Sequence, residues 1–562
     1  MPFGQRTHYT HDIFPQYANP RFVSHYHEEP IPSRAEELTM QAATITRRLF
    51  LRGTALAATV ATIGGTKTAH ATAPHQWFQH GVASGDPTPS SVILWTRVTP
   101  TPEATPGSGV GEPVGVAWEV AREASISTVV ARGTAVTGPE CDHTIHVDPG
   151  GLEPATHYYY RFTAPDGERS PVGTTTTLSL IDAPLSSLNL AVASCANWEA
   201  GHFAAYRDIA RRADAGELDL VVFLGDYIYE YARGTFVGGS GMVRATEPAE
   251  ETVRLDQYRT RYGLHRTDPH LQAAHAALPW IVMWDDHETA NDSWRDGAQN
   301  HQPHEGPWHD RKQAALQAYL EWLPIRAGAD DPLYRSFTFG TLGHLSMLDL
   351  RSFRDAPPTH QQWLGGMRGT TMMGTAQFDW LKTQIEHSTA RWNIIGSSVM
   401  FSPMQVTGGP HIQLPDPLPA NLDQWDGYSL ERDRLLTVLA DTGRPALFLA
   451  GDIHSEWGST LRHGDRHVGV ELVGSSITSA NVNDFLGLPE DNPVSLSSEG
   501  FIRTNAPHVR HVDLDAHGYA IASLGPESVQ LRWLRVADIT RPDSPVAPAV
   551  SLDWVYGTGF TS

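Results

Sequence analysis

Leu218-Asp219-Leu220-Val221-Val222-Phe223-Leu224-Gly225-Asp226-Tyr227-Ile228-Tyr229-Glu230 runs from an apolar stretch straight into a glycine and a carboxylate. A short, β-branched apolar run that ends in a turn residue reads as a strand buried on both faces. In α/β sheets, ligands collect beyond the carboxyl ends of such strands. Gly225 lets the backbone turn sharply there, so Asp226 is presented at the strand end. Three other runs share the design. Residues 188–194 lead into Cys195, residues 280–284 into Asp285-Asp286-His287-Glu288, and residues 446–450 into Gly451-Asp452-Ile453-His454-Ser455. One such ending is unremarkable as a chance loop carboxylate. Four together point to a shared polynuclear metal site.

The donor types fit that reading. Asp226 suits a bridge between two ions, and Tyr229, three residues on, can return its phenolate to one of them. Asp452 and His454 are two apart and point the same way if the backbone is extended. Thiolate, phenolate and imidazole favour a transition metal, whereas carboxylates favour Ca²⁺. Residue type alone also permits Zn or Mn at either position. Each residue has a plainer reading beside this one. Cys195 suits a buried core thiol, and Tyr229 suits a packed aromatic beside Tyr227 and Tyr231. Asp285 and Glu288 read as supports of the ligands, and Asn291 is a further ligand candidate. Arg351 and Arg354, with Asp349, offer a guanidinium fork for phosphate or else a buried Asp–Arg brace. Cys141 lies far from these runs and reads as a bystander. The two cysteines allow one disulfide and no zinc-finger spacing.

Around this centre the chain divides in two. Residues 76–182 read as all-β: alternating strand formers at 91–97, 114–120 and 157–162 are separated by Pro/Gly/Asp-rich turns. Gly151-Leu152-Glu153-Pro154 ahead of Tyr158-Tyr159-Tyr160 suits the corner of an immunoglobulin- or fibronectin-like sandwich. Residues 185–562 alternate strands with amphipathic helices at 205–215, 311–322, 375–386 and 429–440, which is α/β punctuation. Loops at 233–248, 296–310 and 407–427 are candidate surface loops or lids. The histidines of the second, His301, His304 and His309, read as solvated.

Bulk properties narrow the function. The chain has 562 residues, 41 Lys+Arg against 63 Asp+Glu and a formal net charge of -22. Such acidity excludes an electrostatic grip on nucleic acid and argues against a stable nucleic-acid complex. There is no G-x-S-x-G and no G-x-x-x-x-G-K-[ST], so a serine hydrolase of that type and a P-loop enzyme are set aside.

Gly225-Asp226-x-x-Tyr229, Asp285-Asp286-His287-Glu288 and Gly451-Asp452-x-His454 resemble the blocks of the metallophosphoesterases, in the variant form of the PhoD-type alkaline phosphatases. His80-Gly81-Val82-Ala83-Ser84-Gly85-Asp86-Pro87, Ile93-Leu94-Trp95-Thr96-Arg97 and Leu348-Asp349-Leu350-Arg351-Ser352-Phe353-Arg354-Asp355 are similar to that branch as well. The resemblance implies a four-layer αββα sandwich preceded by a β-sandwich domain. It implies Fe(III) on Cys195, Asp226, Tyr229 and His454. It places Ca²⁺ alongside, sharing Asp226 and using Asp286 and Asp452. His287 is implied at the phosphate as hydrogen-bond donor or acid, in a metal-assisted in-line displacement with no covalent enzyme intermediate. The implied substrates are phosphate monoesters or diesters. A phospholipase D-like phosphodiesterase is the alternative within the family. Only three lysines (Lys67, Lys312, Lys382) stand in an Arg-rich chain, as in proteins of GC-rich genomes, where such enzymes occur. A non-catalytic surface-binding protein is the alternative outside it, and metal analysis separates the two.

Thr46-Arg47-Arg48-Leu49-Phe50-Leu51, the weakly apolar residues 53–66 and Ala71-Thr72-Ala73 form the three parts of a twin-arginine export signal over residues 40–73. The apolar part is too short to span a bilayer, so no integral membrane segment is expected in the mature protein. The resulting expectation is passage through the twin-arginine translocon to an extracellular, periplasmic or cell-wall location. Residues 1–39 are polar, rich in His and Pro, and without period. They read as a non-native extension ahead of a true start at Met40. N-terminal sequencing of the unprocessed precursor should therefore begin at Met40; a chain beginning at Met1 would refute this.

Overall fold

A computed structural model describes residues 76–406, 418–419 and 421–561. The expected extension and export signal lie outside the described residues. The described residues belong to one compact unit.

The apolar runs fold as expected. Leu188–Ala193, Leu220–Leu224 and Pro279–Met283 are adjacent parallel strands at the centre of a ten-stranded sheet. Leu220–Leu224 and Pro279–Met283 are buried at every position, as strands covered on both faces must be. Ala446–Ala450 lies in a second sheet of seven strands, between Trp392–Gly396 and Arg466–Val473 and parallel to both. The two sheets share one apolar core. Leu190, Val222, Leu224, Ile281 and Met283 of the first join Leu345, Met347, Ile394, Leu447, Leu449 and Leu472 of the second. Helices Ala204–Asp214 and Trp308–Trp322 bury Tyr206, Ile209, Ala315 and Trp322 in that same core. Helices Gly374–His387 and Ser429–Thr442 place Phe378, Leu381, Leu435 and Leu439 in a separate core with Ile395 and Phe448. The result is the expected order of helix, sheet, sheet and helix.

The N-terminal strands form a sandwich, with one difference from expectation. Val129–Thr137, Val114–Ala121, His157–Thr163 and Gly173–Thr176 make a four-stranded antiparallel sheet. Tyr158, Tyr160 and Phe162 turn inward from it and meet Val82, Leu94 and Ile145. Tyr158 Oη accepts a hydrogen bond from the Glu153 N–H at 2.9 Å, the contact that fixes a tyrosine corner. The facing strands Val82–Gly85, Ile93–Arg97 and Thr144–Val147 are not a separate sheet. They extend the ten-stranded sheet, because Ser84 and Gly85 pair in parallel with Pro279 and Trp280. Both cysteines are free, and Cys141 is not bonded to Cys195.

Gly225 is where the fold presents the site. Its φ is +97°, and a Cβ there would fall 2.3 Å from Asp285 Cβ and 2.7 Å from Asp285 N. The ends of two neighbouring strands are therefore as close as backbone allows. Gly225→Ala should destabilise the protein by about 3 kcal/mol, from overpacking together with left-handed strain. Denaturant titration with the m-value unchanged would report it; a loss below about 0.5 kcal/mol, the range of a neutral surface change, would refute the close approach.

Candidate metal centre

The four strand ends converge although they come from two sheets. One ligand atom each of Cys195, Asp226 and His454 lie within 4.8 Å of one another. So do those of Asp226, Asp286 and His287, and those of Asp285, Asp286 and Asp452. The three groups form a chain, with Asp226 shared by the first two and Asp286 by the last two.

Backbone conformation presents these side chains. Cys195, Asp226, Asp452 and His454 all have positive φ, at 61°, 57°, 68° and 48°. Non-glycine residues rarely adopt this region, and each costs on the order of 1–3 kcal/mol. The left-handed turn swings the residue after each strand back over the sheet edge. Asp452 and His454 thus lie in a tight turn, closed by Ile453 N–H to Gly451 O at 2.8 Å, and not in the extended backbone expected from their spacing.

Glu288 ties two of the ends together. Its buried carboxylate accepts from the N–H groups of Asp226 (3.1 Å), Tyr227 (2.6 Å) and Asp285 (2.8 Å). Tyr229 Oη donates to Asp226 Oδ2 at 3.1 Å and lies 3.2 Å from His454 Nε2. His454 Nδ1 meets Ala480 O at 2.9 Å. A carbonyl only accepts, so Nδ1 carries the proton and Nε2 offers its lone pair toward Asp226 and Tyr229. Burial pushes the His454 pKa down to about 4, which keeps that lone pair free.

The carboxylates are poorly matched to a dry protein site. Burial, followed by neighbouring acids, raises Asp226 well above the ordinary carboxylate range. Burial and Asp285 do the same to Asp452. Asp226 Oδ1 and Asp286 Oδ1 are buried with no hydrogen-bond partner. Burial and Asp226 also raise Cys195, whose thiol meets Ser194 Oγ at 3.1 Å and the backbone of Asp452. Orphaned buried carboxylate oxygens beside a thiol, a phenol and a free imidazole lone pair fit bound cations, whose charge would favour every deprotonated form.

His287 is held on one side. Its Nδ1 lies 2.7 Å from Glu230 Oε2. Burial works against its charge, but Asp286, Glu230 and Asp226 outweigh it and raise its pKa well above 6.5. Tyr229 and Phe236 stack on the ring, with centroids 4.3 and 6.1 Å away. Phe236 comes from the 233–248 loop, which therefore covers the site.

One expectation needs correction. Arg351 and Arg354 are not open to a ligand. Arg351 is 2% exposed and donates to Asp285, to Asp423 at 2.6 Å and to Asp452 at 3.1 Å, with Asp286 at 3.4 Å. Arg354 is fully buried and spent on Asp423 and the Ser293 carbonyl. Both act as braces, because the donors of Arg351 go to acids of the centre and those of Arg354 to the Asp423 carboxylate and to backbone carbonyls. Asn291 lies beside the centre: its side-chain N–H donates to Gln299 at 3.1 Å and its backbone N–H caps Glu230. The adjacent Asp292 does approach, its N–H donating to Asp286 Oδ2 at 2.5 Å. Asp423, Gln424 and Glu230 were missed in the sequence. Asp423 and Gln424 sit in a long loop with no strand to announce them, and Gln424 Nε2 donates to Asp452 Oδ2 at 2.6 Å. Glu230 follows Tyr229 directly and was hidden in a block read for its ligands.

Comparison with known proteins agrees with this architecture. The family model described as PhoD-like phosphatase matches residues 190–533, and that of the PhoD-like phosphatase N-terminal domain matches residues 64–179. Alkaline phosphatase D of Bacillus subtilis (strain 168) is 34% identical over 551 residues, covering 92% of this chain and 89% of its own. A solved structure described as that of PhoD superposes with a TM-score of 0.77 at 33% identity, covering 87% of this chain and 93% of its own. The chain belongs to the PhoD-like phosphatase family.

Proposed function

We propose that the protein is an exported, metal-dependent phosphoesterase that hydrolyses phosphate monoesters or diesters at the centre formed by the four strand ends. The observation that supports this most is the pair of donor sets joined through Asp226. In this reading Cys195, Asp226, Tyr229 and His454 hold Fe(III), and Asp226, Asp286 and Asp452 hold Ca²⁺, with Asp285 and Asp292 beside them. Zn or Mn fits the same donors by type. When bound, the ions neutralise the phosphoryl oxygens and lower the pKa of water. Export through the twin-arginine translocon is supported by the motif at 46–51.

The chain's own groups then do the rest. Glu230 fixes the tautomer and plane of His287, whose second ring nitrogen is left to the reacting side. A protonated His287 donates a hydrogen bond to the phosphoryl group or its proton to the leaving oxygen. Ala480 holds His454 neutral. Arg351 and Arg354 keep Asp285, Asp423 and Asp452 in register without touching substrate. Phe236, Tyr229 and Tyr231 exclude water from one side of His287.

The experiment that tests the activity is a parallel assay of p-nitrophenyl phosphate, bis-p-nitrophenyl phosphate and phosphatidylcholine with Ca²⁺ present. Turnover of either nitrophenyl ester is expected. Silence on both sinks the proposal, and cleavage of phosphatidylcholine alone assigns the phospholipase D-like alternative.

Asp226→Asn should lower turnover at least about 10²-fold, since the ions supply most of the charge stabilisation, and should lower metal content at both positions. Near-normal turnover with full metal content would remove Asp226 as the bridge. In the same preparations, Cys195→Ser should shift the visible or near-ultraviolet charge-transfer band, whereas Cys141→Ser should leave it unchanged.

EGTA should inactivate the enzyme, and Ca²⁺ should restore it better than Mg²⁺ or Zn²⁺, because Asp286 and Asp452 make the second position hard and anionic. Full activity after EGTA and dialysis, or rescue by Zn²⁺ alone, would show a conventional transition-metal pair.

A further inference from the structure

Arg266 follows helix Leu255–His265 and lies at the seam where strand Val82–Gly85 joins Pro279–Met283. It is fully buried. None of its three side-chain nitrogens makes a well-formed hydrogen bond, although the Tyr227 hydroxyl comes near enough to favour its charge. Its guanidinium lies 4.2 Å from the centre of the Trp95 ring, a contact that offers weak attraction and no acceptor. Arginine stays protonated in proteins, so a full charge sits in a dry seam.

The neighbours do not neutralise it. Among the described residues no carboxylate pairs with Arg266. Asp142 is taken by Arg97 at 3.4 Å, and Asp268 by Arg244 at 2.7 Å. The groups that feel Arg266 most are the neutral phenols Tyr227 and Tyr160. His80 and His275 are kept neutral, first by burial and then by arginine charge, from Arg97 and Arg266 at His80 and from Arg266 at His275. Tyr160 Oη and Ser84 Oγ are also buried, near each other and without a well-formed hydrogen bond.

An uncompensated buried charge costs several kcal/mol even after relaxation. Water could satisfy the five N–H donors but would leave the charge. A small anion satisfies both, and hydroxyls of Tyr and Ser can donate to it. We propose that a monovalent anion of halide size sits against the Arg266 guanidinium, with Tyr160 Oη and Ser84 Oγ as further donors. It acts as a structural clip between the sandwich and the large sheet. A closed site lined by one cation and neutral donors suits a singly charged sphere better than phosphate, which needs more charge to offset its own.

The test uses the full metal-loaded protein. Crystals grown with sodium bromide should show an anomalous bromide peak at the Arg266 nitrogens. Melting in sodium chloride against sodium methanesulfonate, at equal ionic strength, should show a halide-specific rise. That rise is about 1–2 °C for each tenfold in chloride above its dissociation constant. Arg266→Met, which keeps much of the side chain's bulk, should abolish the chloride dependence. A map holding only water at Arg266 overturns the proposal, and so does equal melting of the unmodified protein in the two salts. Neither result bears on the phosphoesterase reading, because the site lies outside the metal centre.

Discussion

Like charge concentrated out of water is the constraint on which this structure turns. Asp226, Asp285, Asp286, Asp292, Asp423 and Asp452 crowd one site, and the cations among them are Arg351, Arg354 and a protonated His287. Two like charges 4.8 Å apart repel by roughly 3–4 kcal/mol at an effective dielectric of about 20. Acids therefore outnumber bases where each excess charge is expensive. A protein without cations can respond only by protonating some of them, which is what the raised pKa values of Asp226 and Asp452 describe. The same site with multivalent cations has its charge deficit filled, and protonation is no longer needed.

Holding such a cluster requires stiff supports, and these are of two kinds. Covalent geometry is one: left-handed residues at Cys195, Asp226, Asp452 and His454 aim each side chain from the end of a strand locked in a sheet. Hydrogen bonding is the other. Glu288 gathers three backbone N–H groups, and Arg351 spans four acids from three separate segments. Removing a member of such a network leaves its partners buried and unpaired, which costs more than the pair contributes.

The readable and unreadable parts of the sequence divide along the same line. Strands at 188–193, 220–224, 279–283 and 446–450 were legible within about two residues, because full burial leaves uninterrupted apolar runs and function sits at their ends. So were helices Gly374–His387 and Ser429–Thr442, and Trp308–Trp322 apart from its first three residues. Val129–Thr137 was missed, since Arg132, Gly133 and Thr134 on a half-exposed strand blur the alternation. The C-terminal antiparallel strands from Glu456 onward were not legible as separate elements. In the site, residues that terminate strands were legible, whereas those acting across space were not. Arg351 and Arg354 looked like a phosphate fork because sequence shows a guanidinium and not the acids it meets. Asp423, which meets both, lies about 70 residues away.

Arg351 and Arg266 show why composition alone misleads about charge. Both are buried arginines, Arg351 just beyond a strand of the seven-stranded sheet and Arg266 against Trp95 of the ten-stranded one. Arg351 is surrounded by more negative charge than it can neutralise, so its environment calls for additional cations. Arg266 is surrounded by none, so its environment calls for an anion. The first imbalance coincides with a buried oxygen of Asp226 that no donor reaches, and the second with the buried hydroxyls of Tyr160 and Ser84. In each case the sign of the local deficit and the hydrogen-bonding character of the orphaned atoms agree. A cation at the first and an anion at the second would each meet both the charge and the hydrogen-bonding character of its surroundings.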